Sequence, residues 1–453
     1  MLVGYKYAEE LQKVANSLTT VIVFRVPAFF SGKRNSFDKL KLLSGDCFLY
    51  MTKNGIISKL KGTEREVRVI YVSSYIPREC GIGTYTKDLT NAINELNPRY
   101  LAEILVLDDP VQKISYPWEV KYKIDQNKVE DYISAADYIN RSSTEVVSIQ
   151  HEFGLNGGKD GEYIIPFVER IKKPVITTFH TILENPTPKQ KEIIQRISNL
   201  SIIVVVMVSE AVRRLRDVYG VDEKKILMIH HGVPDIPYGG TEKFRDGFGN
   251  KGRTVISTIN LISRNKGLEY AIKAIAQLSK KYPQLLYQII GRTHPVVARL
   301  EDDSYRHELE ELVRKHKLEE NVRFINRYVP LDELVEHLRS SDMYITPYLD
   351  PQQITSGALA YAVGAGKACI STPYIYAKEV LAEGKGQLVK FKDSASIAES
   401  VEYLLNHSKE KKEMEQKAYA YGRHMTWANV SLKHLNLYWL VSQESRKEEL
   451  ITA

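Results

Sequence analysis

The stretch VRVIYVSSYIPRECGIGTYTKDL (67–89) decides the fold. It opens as a near-continuous apolar run, breaks into a loop carrying Gly81 and Gly83, and leads into TKDLTNAINEL (86–96), which has helical spacing. An apolar run without strict alternation fits a strand covered on both faces, as in a parallel sheet. A strand that feeds a glycine loop and then a helix is the first half of a βα unit.

The same unit recurs further along the chain. AEILVL (102–107), EVVSIQ (145–150), PVITTF (174–179), IIVVVMV (202–208) and KILMIH (225–230) read as further strands, with helical segments such as EAVRRLRDVYG (210–220) between them. A second series follows: TVISTIN (254–260), LLYQIIG (285–291), NVRFIN (321–326), MYITPY (343–348), KACIST (367–372) and QLVKF (387–391). The prediction is an α/β protein with two doubly wound domains facing a cleft, over residues 66–235 and 254–425. Residues 236–253 are rich in glycine and lack an apolar period, so they read as a linker. TWANVSLKHLNLYWLVSQ places Trp427, Val430, Leu437, Tyr438 and Val441 near helical spacing, interrupted by His434, and predicts a helix over 426–445 packing back on the first domain. Residues 1–65 fit neither series. They form a small N-terminal extension with a predicted β-hairpin around Asn54-Gly55.

Composition narrows the class. Apolar residues are 43% and charged residues 26% of 453, the balance of a globular protein. The densest apolar run, SIIVVVMV (201–208), is too short to span a bilayer. The opening MLVGYKYAEELQ lacks the apolar core of a secretory leader. Cys47, Cys80 and Cys369 are far apart and show no metal-ligand spacing. A reduced, cytoplasmic setting is expected, with no metal and no other cofactor. The net charge is +7. Residues 1–64 hold ten Lys/Arg against five Asp/Glu, so they supply +5 of it. That basic segment fits a solvated surface or a peripheral contact with an anionic membrane. No zinc finger or aromatic-basic motif points to nucleic acid.

Five loops carry candidate chemistry. Gly81 and Gly83 let a ligand approach the start of a helix, or simply make a tight turn. His151 and Glu152, just past a strand end, suit binding of sugar hydroxyls, or a structured turn around a buried histidine. His180 holds the same topological position one strand later. Arg264 and Lys266 lie between a strand and a helix, where cations meet a diphosphate or sit in a solvated loop. Thr355, Ser356 and Gly357 precede ALAYAVGAGKA, a helix start that binds phosphate or only caps itself.

In order, these motifs resemble glycosyltransferase family 4, retaining enzymes with two Rossmann-like domains in the GT-B arrangement, over roughly residues 67–440. RECGIGTYTKDL looks like the family's acceptor-side glycine loop, and QHEFG like the segment of its active-site histidine, which implies that role for His151. SRNKG resembles the pair of cations for the donor diphosphate; Lys266 matches, while Arg264 is displaced and Asn260 and Leu261 stand at the usual Gly-Arg. The family's two glutamates, eight positions apart, are replaced by Gln353 and Tyr361. The resemblance implies Gln353 near the transferring sugar and Tyr361 near the nucleotide ribose. The implied activity is retaining transfer of a hexose, glucose or mannose, from a nucleotide sugar to a carbohydrate or lipid-linked acceptor. The alternatives are a non-catalytic sugar or nucleotide binder and a phosphorylase-like enzyme acting on a sugar 1-phosphate.

Overall fold

A computed structural model describes residues 66–293, 298 and 302–452. The predicted hairpin of the first 65 residues lies outside the described residues. Seven parallel strands form the first sheet: β1 (Val69–Ser73), β2 (Glu103–Asp108), β3 (Val120–Asp125), β4 (Val146–His151), β5 (Val175–Phe179), β6 (Ile203–Val206) and β7 (Ile226–Met228), in the order β3-β2-β1-β4-β5-β6-β7. Six form the second: β8 (Thr254–Ile259), β9 (Leu285–Ile290), β10 (Val322–Ile325), β11 (Met343–Thr346), β12 (Ala368–Ser371) and β13 (Gly386–Leu388), in the order β10-β9-β8-β11-β12-β13. Parallel neighbours need a crossover, and helices supply it on both faces. Central strands such as β1, β4 and β5 are therefore buried along their whole length. Each sheet reverses its winding once, between β1 and β4 and between β8 and β11. Crevices at such reversals, beyond the carboxyl ends of the strands, are where folds of this type take ligands.

The strand β3 escaped the sequence reading. Its residues VKYKID alternate exposed and covered, because it is the sheet's edge and presents lysines to solvent. Residues 236–253 also differ from a plain linker. They contain the helix Thr241–Gly247, which lays Phe244 under the guanidinium of Arg339, 3.8 Å from the ring centroid. Arg245 joins it to Asp342 at 2.8 Å. A helix of seven residues with one aromatic anchor is too short to show a period.

The last helix, Trp427–Thr452, returns to the first domain. Tyr438 is buried, meets Tyr71 edge-on with centroids 5.9 Å apart, and its hydroxyl lies 3.0 Å from Ser148 Oγ on β4. His434 belongs to this buried face rather than interrupting it. It is fully buried, 3.3 Å from the Tyr438 hydroxyl, and burial pulls its pKa down to about 3. One apolar cluster runs from Ile70 and Ile149 through Val233 to Leu359 and Ala362, so the two sheets share a core at their junction. Among the described residues, no helix is long and apolar enough to cross a membrane.

Candidate active site

The first sheet brings three loop ends to its reversal. After β1 the chain turns through Ser74–Cys80 and enters the helix Gly81–Leu96. Cys80 occupies the cap position without a side-chain cap bond, and the first turn holds no acid, so the helix start keeps its partial positive charge. Gly83 packs on the backbone of Tyr75, where an added Cβ would come to 3.4 Å. Gly81 has no heavy atom within 4 Å of that position, so packing does not require its bareness.

His151 closes β4. It is fully buried, with rings of Phe153 and Phe179 edge-on at 5.3 and 5.4 Å. Neither ring nitrogen has a hydrogen-bond partner among the described residues. Burial lowers its pKa to about 3, so the imidazole is neutral. Glu152 turns to its own loop: one oxygen accepts from Thr181 Oγ1 at 2.6 Å and the other from the Phe153 amide at 3.0 Å. Burial raises its carboxyl above the usual range. Of the two readings offered for this residue, the structured turn is the one these contacts serve. His180, past β5, is held by Gln150 Oε1 at 3.0 Å, and burial beside His231 and His151 lowers its pKa to about 3.

The second sheet faces these ends with its own. Arg264–Lys266 form a turn closed by Gly267 at φ +62°, where a Cβ would lie 2.3 Å from the Pro347 carbonyl. Glycine is needed there, and its bareness seats the turn against the end of β11. Lys266 is partly buried, its Nζ 4.0 Å above the centroid of the Tyr348 ring. Burial depresses its pKa to about 8, partly offset by Asp350. Arg264 is exposed and engaged: its guanidinium grips Glu308 through two bonds of 2.7 and 2.6 Å. The predicted diphosphate cation is thus already paired, because the helix Ser304–His316 sets a carboxylate opposite it.

Ser356 caps the helix Gly357–Gly364, accepting from the Leu359 amide at 3.3 Å. Thr355 donates to the carbonyl of His180 at 3.2 Å, across the domains. His231 holds the carbonyl of Gly232 with Nδ1 at 2.7 Å, which leaves Nε2 as the lone-pair nitrogen. A Cβ on Gly357 would stand 3.0 Å from that Nε2. The start of this helix therefore meets the strand ends of the first domain.

The two replaced carboxylate positions are not open to a ligand in the way the resemblance implied. Tyr361 is 6% exposed, and its hydroxyl donates to Asp88 Oδ2 at 2.6 Å. Its ring fills the junction core because it points from the helix toward Asp88 on Gly81–Leu96. The Gln353 amide donates to the carbonyl of Thr355 at 2.9 Å and so braces its own loop. Sequence reasoning missed Asp88, which looks like one more polar residue on an amphipathic helix. It gave His231 no part. It also missed Arg214, buried at 1% exposure and bonded to Gln352 across the junction.

Residues 241–421 match the family model for glycosyl transferases group 1. The chain is 25% identical over 274 residues to a phosphatidyl-myo-inositol mannosyltransferase of Mycolicibacterium smegmatis, an overlap of 59% of this chain and 66% of the relative. It is 25% identical over 288 residues to a D-inositol 3-phosphate glycosyltransferase of Corynebacterium glutamicum, covering 58% and 66%. The chain thus spans a little under two thirds of the length of these relatives. Among solved structures, Anabaena HepE in complex with UDP superposes with a TM-score of 0.65 at 13% identity, covering 82% of this chain and 99% of that one. The sucrose-phosphate synthase of Thermosynechococcus elongatus gives 0.66 at 14% identity, covering 82% and 98%. The chain has the two-domain GT-B fold, and its residues 241–421 match the glycosyl transferases group 1 domain.

Proposed function

We propose that this protein is a retaining glycosyltransferase of family 4 that moves a hexose, glucose or mannose, from a nucleotide sugar to an acceptor hydroxyl. The observation that carries the reading is Lys266. It is a partly buried ammonium in the loop after β8, its Nζ over the ring of Tyr348 past the end of β11, in the part of the chain that matches the group 1 model. A cation with a depressed pKa and no ion pair among the described residues is suited to a diphosphate.

In this reading the donor diphosphate lies between Lys266 and the amides at Gly357. Breaking the anomeric C–O bond places charge on the leaving diphosphate, where both would stabilise it. The acceptor hydroxyl approaches the same face of the sugar and gives its proton to a leaving phosphate oxygen. His151, neutral at the end of β4, would offer a hydrogen bond to the sugar and no charge. The helix start at Gly81 would receive the acceptor. The relatives' names point to a polyol hydroxyl, free or lipid-linked, as the acceptor class. Donors of the UDP type are favoured by the HepE complex. No metal or other cofactor enters this scheme.

One observation favours a second reading. With Tyr361 turned to Asp88, its position offers no carboxylate to a ribose. A sugar 1-phosphate, which has none, would fit the same Lys266 site. Incubation with a panel of UDP-, GDP- and ADP-sugars, followed by assay of released nucleoside diphosphate and NMR of the product anomer, decides between them. Release with retained configuration supports the proposal. No release from any nucleotide sugar, with turnover of a sugar 1-phosphate, would replace it.

A further inference from the structure

The residue at the family's usual arginine position is Leu261, and Arg264 is paired with Glu308. The second cation for a diphosphate is therefore missing from the segment where sequence reasoning sought it. The structure brings one from the neighbouring strand. Gly291, just after β9, has φ +131°, and a Cβ there would lie 1.8 Å from the carbonyl oxygen of Asn260. Only glycine lets the end of β9 press this closely on the end of β8. The next residue is Arg292, whose carbonyl accepts from the Ile262 amide at 2.8 Å, with Thr293 bridged to Ile262. Arg292 is thus fixed beside 261–262, the segment that lacks the arginine.

Its side chain crosses to the other domain. Nε stands 2.6 Å from Oε2 of Glu79, in the loop that leads to Gly81. That oxygen makes no hydrogen bond, so the pair is held by charge. Arg292 is 47% exposed and Glu79 23%, so the guanidinium remains reachable from solvent. Lys266 flanks β8 on the β11 side and Arg292 flanks it on the β9 side.

We propose that Arg292 is the second phosphate-binding cation of this site, and that the Glu79 carboxylate stands in for a phosphate oxygen until a donor displaces it. The inference rests on the nucleotide-sugar reading above. A guanidinium presents two parallel N–H groups to a phosphate, which a single carboxylate contact through Nε leaves partly unused. Donor entry would exchange Glu79 for the diphosphate and leave Glu79 to solvent.

The test is calorimetric titration of UDP, GDP and ADP, and of the matching nucleosides, into the full chain and into Arg292→Ala, Arg292→Lys and Glu79→Gln. Arg292→Ala should weaken diphosphate binding by about 10- to 100-fold, with Arg292→Lys between. Glu79→Gln removes the competitor and should tighten binding by roughly threefold or more. Nucleosides should bind all four proteins alike. A wild-type affinity kept by Arg292→Ala overturns the assignment. So does Glu79→Gln weakening binding as Arg292→Ala does, which would make the pair a brace between domains. A wild type that binds no nucleoside diphosphate removes the nucleotide-sugar reading itself, and this inference with it.

Discussion

The hydroxyl of Tyr361 donates to Asp88 Oδ2 at 2.6 Å, joining a helix of the second domain to a helix of the first. Asp88 is 9% exposed, and burial raises its carboxyl to about 6 despite the hydrogen bond. The residue that the resemblance implied near a nucleotide ribose here holds the domains together. Further contacts act alongside it, among them Glu379 to Ser209, Gln352 to Arg214, Glu79 to Arg292 and Thr355 to His180.

Asp88→Asn keeps an acceptor for Tyr361 and removes the buried charge. A carboxyl raised in the folded state adds stability at low pH and withdraws it as pH rises from 3.8 to about 6. That withdrawal is about 3 kcal/mol at neutral pH, taking 1.36 kcal/mol per unit. The variant should therefore melt at or above the wild type at pH 7 and lose this advantage on acidification. A variant that melts well below wild type at pH 7 would show that the charge stabilises the junction.

Tyr361→Phe removes the other half of the same bond with the opposite outcome. Asp88 stays buried and loses its donor, which costs about 1–3 kcal/mol at neutral pH. The two melting temperatures, measured side by side, should straddle the wild type. Equal losses would mean that the bond matters only as a pair.

How much of this was legible follows from what each residue touches. Twelve of the thirteen strands announce themselves as apolar runs, most of them because both faces of a central parallel strand are covered. β3 did not, since its lysines face solvent. Local features read well: the glycine loop, the helix start at Ser356, and Lys266 before a glycine. Pairings between residues far apart in sequence did not read at all. Nothing local to Tyr361 reveals Asp88, nothing near Arg264 reveals Glu308, and Arg292 looks like one cation after a strand until Gly291 sets it beside Leu261.

Buried neutral histidines give the fold an acid limit. Burial lowers His151, His180 and His434 to about 3, and His230 and His231 to about 4. The unfolded chain takes these protons near 6.5 and the folded chain does not, so stability falls as pH drops below 6.5. Each histidine withdraws about 2 kcal/mol by pH 5. Chemical denaturation at pH 7 and pH 5 should show this loss, opposed only in part by Asp88. Equal stability at the two pH values would contradict the buried, neutral assignment.

His151 should leave no trace in a pH–rate profile. Its pKa of about 3 keeps it neutral wherever the fold persists. His151→Ala should lower kcat by about tenfold or more through loss of the hydrogen bond proposed to the sugar, without moving any inflection near pH 6.5. An inflection present in the wild type and absent in the variant would assign His151 a titrating role instead.

Glu379 caps the helix Ser209–Asp217 from the other domain, accepting from the Ser209 amide at 2.9 Å and hydroxyl at 2.6 Å. Glu379→Ala should cost about 0.5–2 kcal/mol, the range for a lost helix cap. Hydrogen exchange at the Ser209 amide should quicken in the variant. Unchanged exchange there would remove this contact from the junction.

The central claim is that Lys266 binds a diphosphate between the two domains, and titrating UDP into wild type and Lys266→Ala across pH tests it most directly. Lys266 loses its charge as pH rises through about 8, so wild-type affinity should fall above that pH. Lys266→Ala should bind about 10- to 100-fold more weakly at pH 7 and lose the fall above pH 8. A variant that binds UDP as tightly as wild type, with the same pH dependence, would contradict the claim.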